Sequence, residues 1–72
     1  MEKGKYNILI AQMSISGINR TRLAEAVGMH YNTLCRKMRG ENDFTVDEAI
    51  RIKEVLGFTA SVEELFKRDF RA

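Results

Sequence analysis

Apolar residues recur along this chain at the three- and four-residue steps of helices, and small turn-forming residues separate one recurrence from the next. Tyr6, Leu9, Ile10 and Met13 stand at i, i+3, i+4 and i+7, and Ile8, Ala11 and Ile15 widen that stripe. The spacing predicts a first helix over residues 5–14, ended by Gly17, with its broad apolar surface turned to a core. Leu23, Ala24 and Val27 mark a second helix, Arg20–Val27, with Asn19 as its N-cap. Gly28 follows at the position where a helix closes with a left-handed residue, a conformation glycine adopts without steric penalty. Leu34 and Met38 point a third helix, Tyr31–Met38, inward, which puts Tyr31, Asn32, Cys35, Arg36 and Arg39 on its other faces. Gly40 is its expected C-cap.

Thr45-Val46-Asp47-Glu48 is a capping box, the threonine bonding the fourth residue's amide and the glutamate reaching back. It opens a fourth helix, Val46–Leu56, expected to bury Val46, Ala49, Ile50 and Leu56 and to end at Gly57. Ile52 and Val55 face another side, towards the first or fifth helix. Ser61-Val62-Glu63-Glu64 repeats the box and opens a fifth helix over residues 62–68. Phe58 and Phe66 complete a small core, whereas Phe70 is hard to bury within one copy. Leu65, Phe66 and Phe70 are therefore the expected dimer contacts. With no proline and no alternation of β-branched residues, the expected class is all-α. Residues 1–72 form a single five-helix domain with ends frayed at about 1–4 and 69–72.

Composition narrows the chemistry. Seventy-two residues build a core too small for an internal catalytic pocket. The longest apolar run, Ile8 to Ala11, is far short of a membrane span or a signal-peptide core, so a cytoplasmic protein with no membrane partner is expected. One cysteine makes neither an internal disulfide nor a metal cluster, in keeping with a reducing compartment. No carboxylate pair or nucleophile–base set stands out, so neither an enzyme nor a cofactor or small-molecule substrate is expected. Net charge is only +2, but residues 1–40 carry seven Lys/Arg against two Asp/Glu, and residues 41–72 five against eight. The basic half is the half that holds the second and third helices, and it would approach a polyanion first.

Two short helices joined by a glycine turn, with a small residue on the first helix's inner face, can cross steeply as a helix-turn-helix. This pattern resembles the Cro/repressor (lambda-repressor-like) family of bacterial and phage transcription regulators. Leu23-Ala24, Gly28, the polar cluster at 30–33, Leu34 and Gly40 fall where that family has them. The run Phe44-Thr45-Val46-Asp47-Glu48, followed by Leu56-Gly57, is similar to small phage repressors of Gram-positive hosts. The resemblance spans roughly residues 5–66. It departs at Lys37, where the family has an aliphatic core residue, at Met38, where glutamate is common, and at acidic Glu41 and Asp43.

The resemblance implies a double-stranded DNA operator as partner, occupied without chemistry, and base-reading residues at the start of the third helix and one turn on. Carried to this chain, these are Tyr31, Asn32, Thr33 and Arg36. Asparagine pairs bidentately with adenine and arginine with guanine, and threonine offers a hydroxyl and a methyl. For Asn32 and Thr33 local backbone capping is the competing role. Arg20 and Arg22 stand in a first helical turn, where the dipole disfavours cations unless an outside anion such as phosphate is present. His30, Lys37, Arg39 and Asn42 complete the expected phosphate contacts, with His30 equally suited to capping. One short helix reads few base pairs, so a homodimer on a palindrome is expected, either paired through the fifth helix or formed only on DNA. The other reading is a protein-interaction module, antitoxin-like or antirepressor-binding, using the acidic half of the same fold.

Overall fold

In the computed structural model, residues 6–68 are described. They form five helices, α1 (Asn7–Ser16), α2 (Arg20–Val27), α3 (Tyr31–Met38), α4 (Val46–Leu56) and α5 (Val62–Leu65), with no strand among the described residues. No helix there is long and apolar enough to cross a membrane.

The helices begin and end where local chemistry says they should. Asn19 accepts the Arg22 amide at 2.8 Å and starts α2. Thr45 and Glu48 bond each other's backbone at 3.1 and 2.9 Å, a complete capping box at the start of α4. At the end of α2, Gly28 takes φ 72°, its amide bonds Glu25 O, and the Met29 amide bonds Ala24 O. That pair of bonds closes the helix's free carbonyls and needs a left-handed residue. The same two bonds recur after α1, α3 and α4. After three of the four glycines an apolar residue follows (Ile18, Met29, Phe58) and packs on the core; after Gly40 the follower is exposed Glu41.

Each helix supplies one aliphatic side chain with essentially no exposure: Leu9, Leu23, Leu34, Ile52 and Leu65. Tyr6, Met13, Ala24, Val27, Met38 and Leu56 fill the space between them. α2 packs against both α3 and α4, while α1 packs against α4 and α5. At one edge Tyr6, Phe44 and Phe66 meet edge to face, with centroids 4.9–5.9 Å apart. The Arg68 guanidinium lies over the Tyr6 ring and donates to its hydroxyl at 2.7 Å.

Several expected faces are corrected. α1 starts and ends two residues later than residues 5–14, and Ile10 and Ile15, placed in its buried stripe, are 44% and 76% exposed. α1 has no charged residue, so nothing in its sequence marks an outer face. On α4, Ala49, Ile52 and Leu56 form the inner stripe at i, i+3 and i+7. Ile52 is therefore central, and Val46 and Ile50 turn outward. Cys35 is buried beside Leu34 rather than on an outer face of α3. α5 is one turn that ends at Leu65, short of Arg68. Leu65, an expected dimer contact, is fully buried in the core and has no surface to offer a second copy. Phe66 is half-buried in the aromatic cluster, and Phe70 lies outside the described residues.

Candidate nucleic-acid interface

The outward side of α3 follows from its inward side. Leu34 and Met38 anchor the helix, with Cys35 beside them. At about 100° per residue, the opposite arc holds Asn32, Arg36 and Arg39 at i, i+4 and i+7. All three are exposed. Thr33 sits half-buried at one edge of this stripe, and Tyr31, at the helix start, is 49% exposed. Of the four residues expected to read bases, Asn32 and Arg36 share the stripe's centre, and Tyr31 and Thr33 flank it. Arg39, expected to touch phosphate, lies on the same stripe as Arg36.

Other expected phosphate contacts stand at two helix starts and in a loop. Arg20 and Arg22 are exposed in the first turn of α2, which has no acidic residue. The Asn19 cap satisfies one amide there without offsetting the two cations. His30 occupies the N-cap of α3 with extended backbone, but its side chain makes no capping bond. The first turn of α3 also lacks an acidic residue. Asn42 is exposed in the bend that follows Gly40.

Two expected phosphate contacts are engaged within the chain. The Lys37 ammonium is 2.5 Å from Glu48 Oε1, and the side chains are only 12% and 26% exposed. Lys37 is therefore turned towards α4 and withdrawn from the outer stripe. In this structure the expected phosphate contact Lys37 is taken up by an ion pair within the chain, which is how a charged residue fits where the resemblance expects an aliphatic one. Glu48 is a site residue that sequence reasoning missed. Its capping role was visible, but its second partner lies eleven positions away on another helix. Partial burial disfavours the charged Glu48 carboxylate, yet the Lys37 ammonium and the Thr45 bonds outweigh it and hold its pKa below the ordinary value.

Arg39 donates from Nε to Glu41 at 2.7 Å, with both side chains about half exposed. That bond, and the carboxylate's charge, raise the arginine's pKa further above its ordinary value. In water such a pair is worth little, so a phosphate or base edge could displace Glu41 at small cost. Asp43 extends into solvent from the same loop, 3.9 Å from Arg68.

This outward face of α3 presents hydrogen-bond donors. Bidentate and monodentate donors stand in a row beside cations, and among the described residues no group of His, Cys, Asp or Glu is arranged to hold a metal ion. Away from it, an open apolar groove is lined by Phe44, Val46, Ala49, Val62 and Phe66, with Glu63 and Arg68 at its edge. No protein-family model, curated protein or solved structure matches the chain.

Proposed function

We propose that this protein is a sequence-specific, double-stranded-DNA-binding transcriptional regulator, a phage or prophage Cro-like repressor with a lambda-repressor-like fold. In this reading α2, the Gly28 turn and α3 are a helix-turn-helix, and α3 enters the major groove. The observation that carries it is the exposed Asn32–Arg36–Arg39 stripe, whose back is pinned by Leu34 and Met38. Those donors match the adenine and guanine edges of the major groove. Tyr31 and Thr33 read or brace at the edges of the stripe. Arg20, Arg22, His30 and Asn42 contact phosphates, and the two arginines give binding its salt dependence, joined by Arg39 when Glu41 yields.

The regulator acts by occupying its operator, with no cofactor and no bond made or broken. Leu65 is committed to the core, so pairing through α5 loses its main apolar contact. Two copies instead meet on a palindrome whose half-sites lie about one helical turn apart. Selection from a randomised duplex library at near-physiological salt tests the reading. A pseudo-palindrome with that half-site spacing is expected. A short asymmetric site would keep DNA binding and remove the dimer, and no enrichment from a folded sample would remove DNA binding.

A second reading, a protein-interaction module, is favoured by one observation. Val46 is 74% and Ile50 42% exposed, on the helix that lines the apolar groove. Arg36→Ala would leave a partner bound there unaffected, whereas it weakens operator binding.

A further inference from the structure

We propose that Lys37 and Glu48 form a strut that sets the roll of α3 about its own axis and thereby decides which side chains face the base pairs. α3 rests on α2, and α2 in turn rests on α4. The pair reaches directly from the last turn of α3 to the first turn of α4. The anchor at the far end is stiff. Glu48 Oε1 accepts from both Lys37 Nζ and the Thr45 amide, and Thr45 Oγ1 holds the Glu48 amide in return. The carboxylate is thus fixed by the capping box before it meets Lys37, and the lysine adapts to it.

The consequence for recognition is geometric. Arginine's guanidinium reaches about 8 Å from a helix axis, so a roll of about 20° carries it about 3 Å sideways. A bidentate contact to guanine does not survive that displacement. Leu34 and Met38 hold the back of α3, and the Lys37 ammonium, 2.5 Å from a carboxylate already fixed by the capping box, adds a charge-assisted contact that ties α3 to α4. Lys37 and Glu48 are therefore positioning residues for Arg36 and Asn32, without touching DNA themselves.

This inference rests on the DNA-binding reading, and its test separates the two. Lys37→Met keeps the length and bulk of the stem and removes the charge. Glu48→Gln keeps an oxygen for the Thr45 amide and weakens the pair. Each variant, checked for folding by circular dichroism, is titrated with the duplex selected above and with a shuffled duplex over a range of salt. Discrimination between the two duplexes is expected to fall about 10-fold in both variants. The slope of log affinity against log salt is expected to stay unchanged. A slope shallower by about 1 in Lys37→Met, with discrimination intact, would make Lys37 a phosphate contact and overturn the strut. Unchanged discrimination and slope in both variants would overturn it as well. If Lys37→Met does not fold, Glu48→Gln alone decides on the same criteria. If the unaltered protein selects no duplex, the DNA reading fails and residual dipolar couplings of the α3 and α4 amides judge the strut. A changed orientation of α3 relative to α4 in the variants supports it, and an unchanged one sinks it.

Discussion

Replacing Leu65 by alanine tests whether the short last helix belongs to the core or to an interface. Leu65 has no exposed surface and sits on a helix of only four residues, beside the other fully buried aliphatics. A four-residue helix has too few internal hydrogen bonds to hold itself, so packing of this side chain keeps it docked. Truncating a fully buried leucine removes its transfer energy and leaves a cavity, together costing about 2–5 kcal/mol. A domain of this length has a total stability of roughly 4–10 kcal/mol. The variant therefore gives up between about a fifth and the whole of what it has. With a urea m-value of about 1 kcal/mol per molar, the unfolding midpoint should fall by at least ~2 M. Val46→Ala on the exposed side of α4 is the control and should move stability by less than about 0.5 kcal/mol. Equilibrium urea unfolding, followed by circular dichroism at two protein concentrations tenfold apart, reads both. A midpoint shift for Leu65→Ala below about 0.5 M would refute the core assignment. So would a loss of stability that shrank on dilution, which is the behaviour of an interface residue.

Three further outcomes follow from the same geometry. Arg36→Ala should weaken binding to the selected duplex by about 1–3 kcal/mol and relax the preference at one base position, measured by fluorescence anisotropy; equal weakening on every sequence would make Arg36 a phosphate contact. Because Glu48 titrates below its ordinary value when folded, its contribution to stability is present above the unfolded pKa and is lost as pH falls through the folded one. Acid titrations of stability should accordingly show a shallower decline for Glu48→Gln than for the unaltered protein, and identical curves would contradict the Lys37 contact. Cys35 is a buried free thiol, so an aromatic disulfide reagent should modify it slowly in buffer and at once in denaturant; fast modification of the native protein would mean that α3 turns that side chain outward.

The bounds of α2, α3 and α4, and the start of α5, could be read from the chain itself, because the groups that start and stop these helices lie within a few residues of one another. Asn19 bonds an amide three positions on, Thr45 and Glu48 bond each other, and Gly28 closes α2 with its own amide and its neighbour's. The same locality made Leu34 and Met38 recognisable as the inner face of α3, and with them the outward position of Asn32 and Arg36. Which apolar residues are buried was a tertiary matter. α1 is uncharged and apolar on several sides, so only the placement of α4 and α5 against it decided that Leu9 and Met13 go in while Ile10 and Ile15 stay out. On α4 both Ile50 and Ile52 are plausible core residues by type, and the neighbours opposite chose Ile52. The chain likewise carried no sign that Lys37 would meet Glu48, since an ion pair between helices depends on where each helix lies and how it is rolled. Local hydrogen bonds determine where a helix begins and ends; the shape of the space between helices determines which way it faces.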